Sequence, residues 1–180
     1  MKKTLLITIL LFAITFSTQA QLLQIGAKVG LNYANFSGTD IQTDAITSYH
    51  AGLVAEIKLL DKFAIQPELL YTTQGASYKV GINEYKNELG YIAIPVLAKI
   101  YLSKTFSLEL GPQASFLLSE KDKFNPEDSK TFDFSVAAGL GFKITKSIFV
   151  QGRYVLGLTE VSTAAQSKNS VLQFSAGIMF

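Results

Sequence analysis

Apolar and polar residues alternate with a period of two through most of the chain. The clearest example runs from Phe132 to Ile144, where apolar side chains take every second position and small or polar ones lie between them. Successive side chains of a β-strand point to opposite faces, whereas a helix would scatter these residues around its circumference. This segment is therefore predicted to be a strand with one apolar and one polar face.

The same alternation recurs in seven further segments, so the sequence predicts eight strands. Each is close to the length of about 9–11 residues that a tilted strand needs to cross a bilayer. An even number of strands is usual for bacterial membrane barrels, and eight lies at the low end of their range. Besides 132–144, the predicted strands cover about residues 24–33, 49–58, 63–72, 90–102, 106–117, 148–158 and 171–180.

The connections between the predicted strands alternate between tight turns and long polar loops. Short turns on one rim and long loops on the other are typical of an up-and-down membrane barrel. The sequence therefore predicts an all-β fold, an eight-stranded antiparallel up-and-down transmembrane β-barrel whose long loops lie outside the cell. The tight turns lie at 59–62, 103–105 and 145–147, and the long loops at 34–48, 73–89, 118–131 and 159–170.

Two features favour an apolar face that meets lipid over a soluble lipocalin-like barrel, whose apolar face would point inward. Small residues such as Gly30, Gly52 and Gly111 fill the polar face, which suits the narrow interior of an eight-stranded barrel. Aromatic residues of the apolar face fall at strand ends, like the girdles at the two bilayer interfaces of membrane barrels. The predicted girdles comprise Tyr33, Tyr49, Tyr71, Phe116 and Phe132 near the long loops, and Phe63, Phe106, Phe142 and Phe180 near the tight turns or the C-terminus.

The polar face of the predicted strands carries charges of both signs. Charges enclosed in a narrow barrel must be paired or hydrogen-bonded, because an unpaired buried charge costs on the order of several kcal/mol. We therefore predict a polar network that fills the lumen, in preference to acid–base catalysis by paired acids such as Glu56 and Glu68. The predicted network comprises Lys28, Glu56, Glu68, Lys99, Glu109, Asp133 and Arg153, with Lys58 and Lys143 on the same face.

Three prolines fit this pattern poorly. Pro67, Pro95 and Pro112 fall inside predicted strands, where each removes one ladder hydrogen bond. Bulges or local irregularities are therefore expected at these positions.

The first twenty residues have the composition of a secretory signal peptide. Lys2 and Lys3 precede an uncharged apolar run from Leu5 to Phe16, which is too short to be a retained membrane anchor. We predict cleavage after Ala20, which leaves residues 21–180 as one outer-membrane barrel domain in a Gram-negative bacterium. Cleavage changes the balance of 16 basic and 14 acidic residues to 14 of each, so the charge gives no support for nucleic-acid binding.

The sequence offers little chemistry for a cofactor or a catalytic site. The chain has no cysteine and one histidine, His50, whereas a zinc site usually needs several such ligands. No catalytic, cofactor-binding or metal-binding residue is therefore predicted. His50 is the sole candidate base for an enzyme, and Ser48 is expected to face the opposite side of its strand. Loop 118–131 is the most charged, but its acids lack the spacing of a calcium loop.

The C-terminal residues resemble the signal by which the barrel assembly machinery recognises its substrates. Gln173, Ile178 and the terminal Phe180 fit that signal, although Ser175 stands where glycine is usual. The resemblance implies the assembly machinery as a transient partner during biogenesis, with outer-membrane lipid as the lasting one.

Several short stretches together resemble the PorT-like outer membrane protein β-barrel domain family, often labelled "porin family". The resemblance covers essentially the whole chain after the signal peptide and implies a barrel for which no catalytic residue can be carried over. The matching stretches are 26–32 (GAKVGLN), 65–71 (IQPELLY), 91–97 (YIAIPVL), 110–113 (LGPQ) and 153–158 (RYVLGL).

The leading functional hypothesis is a non-catalytic barrel that supports the envelope or presents its outer loops to an unknown ligand. Loops on a rigid scaffold commonly carry binding functions. A small-solute channel is the alternative, although eight strands leave no open aqueous channel. A lipid-modifying barrel enzyme is the third hypothesis, and it requires a nucleophile and a base together at one rim.

Overall fold

A computed structural model describes residues 22–37, 43–80, 83–121, 132–159 and 168–180. The predicted signal peptide lies outside these residues. Within them the chain forms eight strands and no helix that is long and apolar enough to cross a membrane. The strands are β1 (Leu23–Ser37), β2 (Thr43–Leu60), β3 (Phe63–Val80), β4 (Asn83–Tyr101), β5 (Phe106–Lys121), β6 (Phe132–Lys143), β7 (Ile148–Gly157) and β8 (Lys168–Met179).

The strands close into a single antiparallel barrel in sequence order. Each strand pairs with the next, and β8 returns to β1 in a register that runs from Gly26 opposite Met179 to Ser37 opposite Lys168. Where all eight strands are paired, closure leaves no open strand edge, which a bilayer would not tolerate. The predicted fold class is confirmed.

The apolar face of each strand points outward and the polar face points inward. Val29 is 61% exposed and Leu110 is 58% exposed, whereas Lys28 and Glu109, one position away from them, are each 2% exposed. A water-soluble barrel would show the opposite arrangement, with charged residues outside and aliphatic residues packed centrally. The soluble lipocalin-like alternative is therefore wrong.

The two ends of the barrel differ, as the connections predict. At one end, the turn end, β1 begins at Leu23 and β8 ends at Met179. The same end carries three tight connections, at 61–62, 102–105 and 144–147. At the other end, the loop end, β1 ends at Ser37 and β8 begins at Lys168. The backbone N–H of Phe180 donates to the carbonyl of Ile25 at 2.8 Å, so the chain remains bonded to β1 up to its last residue.

The predicted long loops are too long, because several strands continue beyond the predicted boundaries. Segment 73–89 is mostly a hairpin, in which β3 and β4 stay paired up to Val80 opposite Asn83. Parts of 34–48 and 118–131 belong to β1, β2 and β5, and residues 168–170 of segment 159–170 begin β8. Outside a bilayer neither face must be apolar, so the backbone ladder can continue where the period-two pattern stops.

Of the bulges or local irregularities expected at the prolines, no bulge occurs, and the irregularity is limited to missing rungs. The register is the same on both sides of Pro67, Pro95 and Pro112, although some rungs beside them are unpaired. In the described residues the register shifts lie elsewhere, within β2 at Ala45/His50 and Lys58/Leu60 and at Gly90/Tyr91 in β4. A missing N–H therefore weakens the ladder locally without inserting an extra residue.

Candidate functional site

The barrel interior contains the seven charged residues that the sequence assigns to the lumen network. Each is at most 4% exposed, because it occupies an inward-facing position of its strand. The first seven strands contribute one residue each. In strand order these are Lys28, Glu56, Glu68, Lys99, Glu109, Asp133 and Arg153.

Arg153 connects two acids inside the lumen. Its guanidinium donates to both carboxylate oxygens of Glu68, at 2.9 and 2.8 Å, and to Oε2 of Glu109 at 3.1 Å. Lys28 Nζ forms a second ion pair with Glu68 at 2.8 Å. Since β7 and β3 are four strands apart in a ring of eight, the Arg153–Glu68 pair spans the lumen from wall to wall.

Glu56 is the centre of a second cluster, nearer to the turn end. Its carboxylate lies 3.0 Å from Lys99 Nζ and 3.3 Å from Lys143 Nζ, and it accepts a hydrogen bond from the hydroxyl of Tyr101. Lys143 lies in β6 and Glu56 in β2, so this pair also joins opposite walls. Lys99 is 3.5 Å from Glu109, which connects the two clusters into one network.

Neutral amides, which the alternation did not identify, complete this network. Gln66 accepts from Lys99 at 2.9 Å and donates to Glu68 at 2.6 Å. Gln151 accepts from Lys28 at 3.3 Å and donates to Glu109 at 2.7 Å. Their inward positions were the available signal, but alternation does not distinguish an amide that bridges two ions from any other polar residue.

Asp133 and Lys58 lie apart from the two clusters. Asp133 accepts from Thr159 Oγ1 at 2.6 Å and from Asn169 Nδ2 at 3.1 Å, so neutral donors satisfy it near the loop end. Lys58 is half-buried at the turn end. Among the described residues no group of three or more histidine, aspartate or glutamate side chains could hold a metal ion.

His50 lies in a separate polar cluster on the inner face of β2. Its Nδ1 is 2.7 Å from Oδ1 of Asn32, and its Nε2 is 2.7 Å from Oγ of Ser175. The amide nitrogen of Asn32 donates to Thr72 Oγ1 and to the carbonyl of Thr73, which leaves its oxygen as the acceptor. The hydrogen-bond pattern therefore assigns the proton to Nδ1, and Ser175 donates to Nε2.

A serine, a histidine and an asparagine in this order can form an activated nucleophile when a substrate reaches the hydroxyl. Here Ser175 is 7% exposed and His50 is 1% exposed, inside a lumen filled by side chains. The expectation that Ser48 faces away from His50 is wrong, because residues two positions apart share a face. Ser48 is also buried, and its hydroxyl donates to the carbonyl of Thr73 at 2.6 Å.

The residues of the two predicted aromatic girdles lie on the outer surface. Phe63, Tyr71 and Phe106 are half-buried by neighbouring side chains, and the other six are exposed. Contacts within one group join Tyr49 to Tyr71, with ring centroids 6.1 Å apart, and Phe116 to Phe132, at 5.4 Å. Neighbouring strands thus place their aromatic rings at the same height.

The three residues of the predicted assembly signal occupy both faces of β8 and its end. Gln173 is buried in the lumen, where its amide donates to Asn32 Oδ1 at 3.1 Å. Ile178 is on the outer face, and Phe180 is 80% exposed at the turn end. The two apolar members are therefore accessible from outside the barrel.

Comparisons with known proteins agree on this architecture. A family model described as "Outer membrane protein beta-barrel domain" matches residues 19–163. The crystal structure of Ail, the attachment invasion locus protein of Yersinia pestis, superposes with a TM-score of 0.58 at 12% identity, covering 87% of this chain and 98% of that chain. Neisserial surface protein A gives a TM-score of 0.58 at 13% identity, with coverages of 88% and 97%.

A third solved structure, the outer membrane protein OprG of Pseudomonas aeruginosa, gives a TM-score of 0.53 at 13% identity and covers 87% of this chain and 95% of that chain. No curated protein sequence matches the chain. At these identities the likeness to the solved structures concerns the fold alone.

Proposed function

Because the chain belongs to the outer membrane protein β-barrel domain family, we propose that it is a non-catalytic outer-membrane barrel that presents its loop end to a partner or supports the envelope. The observation that carries this proposal is the Arg153–Glu68 pair, which joins opposite walls of the lumen. A barrel closed in this way offers its two ends and its outer surface for interactions, and its outer surface is apolar.

The strand lengths favour the loop end as the interaction surface. β2, β3, β4 and β5 contain 18, 18, 19 and 16 residues, whereas β6, β7 and β8 contain 12, 10 and 12. Crossing a bilayer needs only about 9–11. Beyond Tyr71, β3 continues to Val80, which is roughly 30 Å along the strand at about 3.3 Å per residue. One side of the barrel therefore projects as a paired wall.

A shortened hairpin tests this function. Gln74 lies opposite Leu89, so replacing residues 75–88 with a short Gly/Ser linker joins β3 to β4 at an existing rung. If the wall presents a binding surface, crosslinks from the loop end to its partner disappear while the amount of barrel in the membrane stays the same. The matched control replaces residues 122–131 with the same linker.

The envelope role has a separate readout in the same strains. If the barrel supports the envelope, a deletion strain should become sensitive to detergents or large antibiotics. Rescue of that strain by the barrel with the shortened hairpin would show that the barrel body carries this function. The proposal is contradicted if two results occur together. The barrel with the shortened hairpin keeps all its loop-end crosslinks, and the deletion strain has no envelope phenotype.

The small-solute channel is the alternative function, and conductance distinguishes it. With Arg153 and Glu68 bridging the lumen, purified barrels in a planar bilayer should show no discrete openings. Openings in the unmodified protein contradict a filled lumen. Openings that occur only in the Arg153→Ala variant support a filled lumen, since that change removes the ion pair between Arg153 and Glu68.

The non-catalytic part of the proposal is supported by the enclosure of His50 and Ser175 within the lumen. A fluorophosphonate reagent, which labels activated serines, should leave the folded barrel unlabelled. Labelling that is lost in both Ser175→Ala and His50→Ala would instead support an enzyme. Turnover of a phospholipid or peptide that depends on His50 would have the same meaning.

The biogenesis of the protein also belongs to the proposal. We infer cleavage after Ala20, insertion by the barrel assembly machinery of a Gram-negative bacterium, and a place in the PorT-like group of the family. The apolar run 5–16 supports the first inference and the C-terminal residues support the second. Sequencing the N-terminus of the protein from outer membranes should give Gln21 as the first residue.

A further inference from the structure

The turn end contains a cavity that the proposed function does not use. Its volume is about 870 Å³, within the range of about 300–1,000 Å³ that is common for small-molecule sites. Glu56, Tyr101 and Lys143 of the lumen network line it, together with Leu22 and the three tight connections. We refer to this cavity as the turn-end vestibule.

Two of the connections around the vestibule are built alike and hold a lysine at the same place. In segments 103–105 and 145–147 the first hydroxyl accepts hydrogen bonds from the N–H groups two and three residues later, at 3.2 and 3.0 Å in one and 3.2 and 2.9 Å in the other. The residue in the middle is Lys104 or Lys146. The remaining connection carries Lys62, and all three lysines line the vestibule.

The vestibule has more positive than negative charge. Five lysines line it, against the carboxylates of Glu56 and Asp61, and Glu56 is already bound by Lys99, Lys143 and Tyr101. In the described part of the chain no carboxylate lies within ion-pair distance of the other four. These four lysines are Lys58, Lys62, Lys104 and Lys146.

We propose that the turn-end vestibule binds a water-soluble anion with two or more phosphate or carboxylate charges on the periplasmic side of the membrane. A concave site in which one sign of charge predominates concentrates ligands of the opposite sign. Phospholipid phosphates would lie outside the ring of strands, whereas these lysines line the opening of the lumen at the turn end. The vestibule lies at the opposite end of the barrel from the projecting wall. Anion binding there can therefore be tested independently of the proposed function.

A titration of the full mature barrel in uncharged detergent tests the proposal, with pyrophosphate and citrate as probes. NMR of the backbone amides should show saturable shifts that are confined to segments 61–62, 102–105 and 144–147. The triple variant Lys62→Gln, Lys104→Gln, Lys146→Gln should weaken binding at least tenfold, and binding should fall with ionic strength. These side chains are exposed, so the variant should fold, which its amide spectrum verifies. Lys58→Gln alone should also weaken binding.

The matched control removes three lysines from another part of the chain, Lys121, Lys123 and Lys130, and should change the affinity less than twofold. Equal weakening in the control would show a general effect of net charge and overturn the proposal. The absence of saturable shifts with either probe would also overturn it. Shifts that occur in nanodiscs with anionic lipid, but not with the soluble probes, would assign the lysines to lipid headgroups instead.

Discussion

The imidazole of His50 in β2 and the hydroxyl of Ser175 in β8 hydrogen-bond to each other across the strand that separates them, with 2.7 Å between Nε2 and Oγ. The intervening residue of β1 is Gly30, which pairs with His50 on one side and with Ser175 on the other. Because glycine has no side chain, the two polar groups occupy the space above it. This hydrogen bond therefore links β2 to β8 across β1, at the level of Gly30.

Gly30→Ala should therefore destabilise the barrel. A Cβ at this position would lie 2.5 Å from Cε1 and 2.7 Å from Nε2 of His50, and it would also collide with the carbonyl oxygen of Phe174. Forcing an extra methyl group into a filled site costs about 1–3 kcal/mol. We expect a loss of that size in the free energy of unfolding, measured by urea titration in detergent or lipid.

Gly152→Ala is the matched control for this change. A Cβ there would meet only ring carbons of Phe174, at 3.8 and 3.9 Å, which is ordinary van der Waals contact. Its effect should stay within about 0.5 kcal/mol. Equal losses in the two variants would show that the alanine acts through the strand backbone and not through the His50 site.

Arg153→Met should be among the most damaging changes in the lumen. It leaves Glu68 and Glu109 without the guanidinium that contacts both of them, and breaking a buried ion pair from one side costs about 3–5 kcal/mol. Arg153→Lys keeps the charge but loses the paired hydrogen bonds to Glu68. Its unfolding free energy should therefore lie between those of the parent protein and the Arg153→Met variant. A methionine variant as stable as the parent protein would refute the role of the network in stability.

A lysine on the outer face should report the depth of each position in the membrane. Leu110 is 58% exposed and lies midway between Phe106 and Phe116 of the two girdles, so Leu110→Lys should cost about 2–4 kcal/mol in phospholipid vesicles. Ser119, exposed beyond Phe116, should tolerate lysine at a cost of about 0–1 kcal/mol. Similar costs at both positions would contradict a membrane boundary near Phe116.

The lipid-facing part of the fold could be predicted from the sequence because a bilayer imposes a strict pattern. Each strand must be apolar on one face over its whole membrane-spanning length, so residues such as Val29 and Leu110 reveal both the strand and its orientation. The extension of β3 to Val80 carries only a short alternation, and the polar residues and glycine at 72–75 separate it from the lipid-facing part of the strand. Outside the membrane neither face of a strand has to be apolar, so the pattern there is weaker.

The inward orientation of the charged residues was predictable, but their pairing and the bridging amides were not. Alternation assigned Arg153, Glu68 and Lys28 to the interior. Which acid meets which base depends on the stagger of strands around the barrel, and Arg153 finds Glu68 on the opposite wall. The same stagger brings Ser175 to His50, two residues 125 positions apart in the chain.

Phe180→Ala should separate assembly in the cell from stability in the test tube. The side chain is 80% exposed at the end of the barrel, so it contributes little packing to the folded state. If it belongs to the assembly signal, the alanine variant should accumulate several-fold less folded barrel in the outer membrane. The purified and refolded variant should lose no more than about 1 kcal/mol of unfolding free energy.

Phe142→Ala provides the matched comparison, since Phe142 is also an exposed phenylalanine of the turn-end girdle, 47% exposed, but lies outside the C-terminal signal. Because both side chains lose similar contact with the interface, the two refolded variants should be about equally stable. Only Phe180→Ala should reduce the level of barrel in cells, measured by heat-modifiable migration of membrane extracts. If both variants accumulate equally well, Phe180 acts as a girdle residue and the assembly machinery does not depend on it.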